Sequence, residues 1–144
     1  MVTIDASVLV AAAVPDEPAN ASARALMERV IEAGLAIHEP TLAVVEVTAA
    51  IARRTGDRDL ALAAGRRLLQ LPGLVLHDLD ADVMAAAAHV ASDLRLRAAD
   101  AVYVAVAHGH AGTLITLDAE VRDRSATFVQ APSPTDWLAA LATD

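Results

Sequence analysis

Four acids stand where carboxylates have work to do. Asp5 follows the apolar run Val2–Ile4 directly, and Asp118 follows Thr113–Leu117 in the same way. Glu46 lies inside LAVVEVTAA, with Leu42, Ala43, Ala49 and Ala50 as its neighbours one helical turn away. Asp100 lies early in RAADAVYVAVAH, surrounded by Ala99, Ala101, Val102, Val104 and Ala105. A carboxylate among apolar neighbours needs compensation, because desolvation and nearby like charge both disfavour its ionised form. A hard divalent cation with oxygen ligands supplies it, and Mg2+ or Mn2+ suits such a site best. A site of this kind lowers the pKa of a bound water and neutralises charge on a phosphodiester. It needs neither cysteine nor a histidine base.

Each acid also has an ordinary structural explanation. Asp5 and Asp118 could cap the helices that follow them. Asp100 could be a first-turn acid favoured by the helix dipole. Glu46 could pair with Arg53 or Arg54. Four separate coincidences would be required to dismiss all of them. Asp57, Asp59, Asp80 and Asp82 sit at helix starts and need only the capping explanation.

The elements that must position these acids follow from apolar periodicity. Val2–Ile4 is a short buried strand, followed at once by a helix over Ala6–Ala13 that Pro15 interrupts. Asp16–Ala33 reads as an amphipathic helix, with Gly34 as its stop. Leu35–Ile37 is a second strand. Pro40 and Thr41 open a helix to about Arg54, ended by Gly56, and Asp57–Leu71 is another, closed by Pro72-Gly73. Leu74–His77 is a third strand, and Asp80 caps a helix to about Leu94. Arg97–His110 is helical, and Thr113–Leu117 is the clearest strand. A short helix from Ala119, a strand near Thr127–Val129 and a helix over Pro134–Ala142 complete the chain. Alternation of strand and helix predicts a parallel sheet with helices on both faces. Ligands bind such sheets outside the carboxyl ends of the strands. Asp5 and Asp118 therefore emerge at one edge if their strands are central.

Bulk composition sets further bounds. One domain over residues 1–144 is expected, long enough to bury a core. Apolar residues make up 56% and charged residues 21%, which excludes a disordered chain. The positive mean hydropathy predicts apolar surface covered by another chain. There is no cysteine, no basic signal-like start, and no apolar run near the ~20 residues that span a bilayer, so a cytoplasmic protein is expected. The net charge of −8, carried against eleven arginines and no lysine, argues against a whole surface built for polyanions. It leaves room for a local site where a bound cation reverses the sign.

In order and spacing, IDASVLV, EPTLAVVEVTAAIARR and LRLRAADAVYVAVAHGHAGTLITLD resemble PIN-domain ribonucleases, specifically the VapC-type toxins of bacterial toxin–antitoxin pairs. The resemblance covers nearly the whole chain, and each acid of that family's quartet has a counterpart in Asp5, Glu46, Asp100 and Asp118. It implies a three-layer α/β/α fold with a central, mostly parallel sheet. It also implies Mg2+- or Mn2+-dependent endonucleolytic cleavage of RNA, leaving 5′-phosphate and 3′-hydroxyl ends. A homodimer and a cognate antitoxin covering the site are implied as partners. Metal contacts are expected from Asp5, Asp100 and Asp118, with Glu46 orienting water or completing a second metal site. Ser7 and Thr116 stand where the family carries hydroxyls that support the carboxylates. Local capping and strand propensity explain these two equally well.

Other constellations carry less. Arg53, Arg54 and Arg58 cluster near a helix end, where phosphate contacts compete with a plain solvated face or antitoxin contacts; Arg66 and Arg67 follow on the next helix. The five histidines are scattered, and the one close pair, His108 and His110, reads as a solvated partner of a helix end rather than as a metal site. Tyr103, Phe128 and Trp137 make no base-stacking platform. A phosphorelay receiver would need a lysine, and a haloacid-dehalogenase-like phosphatase would need an acid where Ser7 stands. The remaining alternative is a PIN-like module that binds metal, RNA or protein without cutting.

Overall fold

In the computed structural model, which describes residues 1–142, four strands and eight helices alternate along the chain. The strands are β1 (Val2–Ile4), β2 (Ile37–Pro40), β3 (Leu74–His77) and β4 (Thr113–Ile115). The helices are α1 (Ala6–Ala13), α2 (Asn20–Glu32), α3 (Leu42–Thr55), α4 (Arg58–Leu68), α5 (Ala81–Leu94), α6 (Ala98–Gly109), α7 (Ala119–Ser125) and α8 (Pro134–Leu141). All strand pairs are parallel, in the order β3-β2-β1-β4. The chain steps from β1 outward to β2 and β3, then crosses back to place β4 on the other side of β1. The gap between the ends of β1 and β4 is therefore the topological switch point, where a doubly wound sheet opens its binding crevice. Helices cover the sheet in a three-layer α/β/α arrangement. Helix α6 lies against β1, β2 and β4, while α1 packs on α2 and α3.

The core explains the strand sequences. Val2, Ile4, Leu114 and Ile115 are buried, as a central parallel strand requires on both faces. Helix α6 presents buried residues from Ala101 to Ala107. Helices α3 and α4 approach so closely that a Cβ on Gly65 would come 2.4 Å from Thr48 Oγ1. The Pro72-Gly73 turn delivers β3, and Gly73 has φ +76° with Leu35 O only 2.9 Å from a built Cβ.

Three expectations shift for identifiable reasons. The second strand runs over Ile37–Pro40 instead of Leu35–Ile37, because Gly34 N–H and Leu35 N–H donate to Ile31 O and Val30 O and still close α2. Pro40 ends this strand and does not open α3. Helix α2 starts at Asn20, after Pro18, because the Asn20 amide donates to Ala11 O (2.8 Å) and Val14 O (3.1 Å) at the end of α1. The strand expected near Thr127–Val129 is absent among the described residues. The following segment runs beside β4 through Leu114 N–H to Gln130 O (2.9 Å) and Thr116 N–H to Pro132 O (3.2 Å). Pro132 and Pro134 lack the N–H groups a ladder there would need.

Candidate active site

Asp5 leaves the end of β1 with its backbone N–H donated to Ile115 O at 2.9 Å, which ties it to the end of β4. Its side chain does not cap α1. Instead, two hydroxyls converge on Asp5 Oδ2: Ser7 Oγ donates at 2.5 Å and Thr116 Oγ1 at 2.8 Å. Each hydroxyl is fixed in turn by a backbone donor. Leu117 N–H reaches Ser7 Oγ at 3.3 Å, and Asp118 N–H reaches Thr116 Oγ1 at 3.1 Å. One network thus sets the carboxylate of Asp5 against the loop that carries Asp118. Thr116 escapes β4 to do this, which is why the strand stops at Ile115.

Asp118 does cap its helix, as the ordinary explanation proposed. Its Oδ1 accepts from Glu120 N–H (2.8 Å) and Val121 N–H (3.3 Å). One oxygen is occupied with α7, and capping does not use the other.

Asp100 and Glu46 are half-buried and feel the other acids. Burial pushes the Asp100 carboxyl up to about 6, and the charges of Asp5, Asp118 and Glu46 push in the same direction against a smaller pull from Arg97. Burial also raises Glu46; the Tyr103 hydroxyl beside it opposes the rise, Asp5 adds to it, and Arg53 weakly opposes it. Neither Glu46 Oε2 nor the Tyr103 hydroxyl completes a hydrogen bond of regular geometry, although both are buried. The structure thus brings all four acids within electrostatic reach of one another. Among the described residues, no arginine forms an ion pair with any of them: Arg54 binds Glu17 at 2.5 Å, and Arg97 binds Glu120 at 3.6 Å. The alternative reading of Glu46 as a partner of Arg53 or Arg54 finds no ion pair among the described residues.

The sequence reading missed a fifth carboxylate. Glu39 is fully buried in β2, and its Oε1 accepts Ile4 N–H at 2.6 Å while Oε2 has no partner. Burial raises it well above the usual carboxylate range, the Ile4 bond opposes this, and the charge of Asp5 adds to it. The available signal was an acid in the apolar run leading to Pro40, hidden by reading that segment as a helix start.

A cleft of about 230 Å³ runs from Ser7 and Glu46 along α3 to Arg53 and Arg54. The histidines are not all scattered as expected. His108 stacks on Phe128 with ring centroids 3.9 Å apart, whereas His110 meets His38 and His77.

A divalent cation fits the carboxylate cluster on this structure's own terms. Burial and its acidic neighbours push the Asp100 carboxyl up to about 6, the half-buried Glu46 has only the Tyr103 hydroxyl beside it, and no arginine among the described residues is ion-paired to the group. All the donors are oxygens, the ligand type of Mg2+ and Mn2+.

The fold and this cluster define a class of doubly wound α/β domains with acids at the switch point. Residues 2–126 match the PIN domain family, and the chain belongs to that family. Curated protein sequences give no match. Among solved structures, FitAcB from Neisseria gonorrhoeae superposes with a TM-score of 0.71 at 21% identity, covering 94% of this chain and 99% of that one. VapC20 from Mycobacterium tuberculosis, described as a sarcin–ricin-loop-cleaving toxin, gives 0.71 at 21% identity over 90% and 98%. A toxin–antitoxin complex from Klebsiella pneumoniae gives 0.62 at 17% identity over 93% and 98%.

Proposed function

We propose that this chain is a divalent-metal-dependent endoribonuclease acting as the toxin of a toxin–antitoxin pair. The observation that carries the reading is Asp100, held near pKa 6 by burial and by Asp5, Asp118 and Glu46, with no basic side chain ion-paired to the group. Asp5, Asp100 and Asp118 would hold Mg2+ or Mn2+. When bound, the ion would supply a water of lowered pKa and charge neutralisation at the phosphodiester. Ser7 and Thr116 fix Asp5 in one orientation. Glu46, on α3 and without an ion-paired arginine among the described residues, positions water or completes a second cation site. Arg53 and Arg54 extend the cleft with positive charge suited to phosphate contacts, and Arg54 is the weaker candidate because Glu17 engages it.

Membership in the PIN domain family and the likeness to VapC20 support RNA as the substrate. The VapBC2 complex from Rickettsia felis bound to a promoter DNA fragment, similar with a TM-score of 0.68 at 13% identity, supports an antitoxin partner. Val45 on α3 is 64% exposed, and Leu60 and Met84 are exposed on α4 and α5, so a homodimer or the antitoxin would cover apolar helix surface. No helix among the described residues is long and apolar enough to cross a membrane, and the site suits a cytoplasmic RNA substrate.

Purified protein should cleave total RNA when Mg2+ or Mn2+ is added, and both EDTA and Asp100→Asn should abolish cleavage. Cleavage that persists after either change would overturn the mechanism. Metal-dependent stabilisation without cleavage of any RNA tested would leave a binding module in its place.

A further inference from the structure

The far end of α6 carries a second cluster of ligating side chains. Strands β2 and β3 pair with Pro40 opposite His77. Side chains alternate along a strand, so His38 and Pro40 share a face, and His77 leaves β3 on that same face. His110 is the C-cap of α6, which packs on β2. The three imidazoles meet with ring centroids 4.1 Å apart for His77 and His110, 4.5 Å for His38 and His110, and 5.1 Å for His38 and His77. His38 Nδ1 and His77 Nε2 are 2.9 Å apart, and one ring nitrogen from each of the three lies within 4.8 Å of the others.

We propose that His38, His77 and His110 form a binding site for a divalent transition-metal cation of the Zn2+ type, fastening the edge strand β3 and the end of α6 to β2. The donors are all imidazole nitrogens, which suit Zn2+ and leave Mg2+ and Mn2+ to the carboxylates. Zinc–nitrogen bonds of ~2.05 Å in tetrahedral geometry place ligand nitrogens ~3.3 Å apart, so coordination requires the stacked rings to turn their nitrogens inward and His110 to move away from the other two. Three protein ligands leave one position open to water. The partial negative charge at the C-terminal end of α6 favours a cation there. The site is separate from the carboxylates: His110 follows Asp100 along α6 at a rise of ~1.5 Å per residue, a separation of ~15 Å. Among the described residues β3 pairs with β2 alone, so a link from His77 to the end of α6 gives this edge strand a second attachment.

The test is a zinc titration of the full chain, read with a competing chromophoric chelator, in excess Mg2+ to occupy the carboxylates. One equivalent of zinc should bind, and His77→Ala and His110→Gln should each weaken it by about tenfold or more. Asp100→Asn should leave that equivalent in place. Co2+ in place of zinc should give the visible bands of a tetrahedral site, absent in both histidine variants. His110 lies at the surface beyond the last turn of α6, so His110→Gln can be read even if His77→Ala unfolds. No tight equivalent, an affinity untouched by both histidine changes, or an equivalent lost with Asp100→Asn would overturn the site. None of these outcomes depends on RNA cleavage.

Discussion

Helix α6 carries a different chemistry at each end. Near its start, Asp100 joins Asp5, Asp118 and Glu46 in a group of like charges without ion-paired arginines. Beyond its end, His110 packs against His38 and His77, which share a hydrogen bond. Burial and the neighbouring imidazoles lower the pKa of His38 and His77, so neutral rings relieve that cluster. At the acidic end the pressure is the opposite: burial and the neighbouring acids push the Asp100 carboxyl up to about 6, and burial raises Glu46 as well. Like-charge crowding that raises carboxyl pKa values in this way is a mark of a place where a cation belongs. The contrast separates a site under electrostatic stress from one at rest.

The largest break in this comparison should come from Asp100→Asn. Cleavage of RNA in Mg2+ should fall ~10²–10³-fold, to the limit of detection, the scale of removing one preorganised electrostatic partner of a reaction. The same variant should melt at a higher temperature than the wild type in EDTA, because a source of repulsion is gone. A variant that loses both activity and metal-free stability would mean that Asp100 is structural, and the proposed division between the ends of α6 would fail.

How much of this was legible in the sequence follows the range of the interactions involved. Asp5 follows β1 directly, because a strand and the residue after it are local features, whereas Asp118 lies three residues beyond β4, because Thr116 leaves the strand to reach Asp5. Asp100 and Glu46 were visible because apolar helical neighbours are local too. Glu39 was hidden because Pro40 looked like a helix start, whereas the closing hydrogen bonds of α2 push the start of β2 two residues along the chain and the strand runs on to Pro40. The histidine cluster was illegible for a different reason. It depends on the β2–β3 register, which sets His77 opposite Pro40, and a one-residue slip would turn His77 to the other face. No local pattern contains that register. The strand expected at Thr127–Val129 failed because apolar character was weighed above the missing donors of Pro132 and Pro134.

A smaller effect would sharpen the account of the acidic end. Thr116→Val removes one of the two hydroxyls on Asp5 Oδ2 while nearly keeping the side-chain volume. Activity should fall ~10–100-fold, the usual cost of losing a group that orients a metal ligand. Ser7→Ala should cost a similar factor, since Ser7 Oγ holds the same oxygen from the α1 side. Saturating Mg2+ should recover part of the loss if the hydroxyls act through metal affinity. Activity within twofold of wild type for both variants would leave the network a purely structural device.

Acid pH separates the metal-free and metal-bound states. Asp100 is raised to about 6 in the folded chain, against ~3.9 for a free aspartate. The folded state therefore binds the proton more tightly, and this contribution to stability is full below ~4 and lost as pH rises through about 6. Glu46 is shifted in the same direction and adds to the trend. Melting temperature in EDTA should fall between pH 4.5 and 6.5. In saturating Mg2+ the trend should flatten or reverse, because the cation binds the ionised acids. Identical slopes with and without Mg2+ would show that the cation does not bind at the acids.

The smallest change concerns Glu39, the acid that belongs to neither end of α6. Its Oε1 accepts Ile4 N–H, and its buried Oε2 has no partner. Burial favours its protonated form, so the folded chain holds the proton to a higher pH than the unfolded chain does. That difference weakens the fold as pH rises above ~4.3, the ordinary value for glutamate. Glu39→Gln keeps an acceptor for Ile4 N–H and removes the titration. Each tenfold increase in proton affinity that burial confers corresponds to about 1.4 kcal/mol, which the glutamine variant should regain at pH 7.5 and not at pH 4. Glu39→Leu, by contrast, strands the Ile4 N–H and should cost ~1–3 kcal/mol at either pH. Denaturant unfolding of the three proteins at both pH values reads this directly. If Glu39→Gln is less stable than wild type at pH 7.5, the carboxyl is ionised in the fold, and Glu39 must then be counted with the acids that draw a cation.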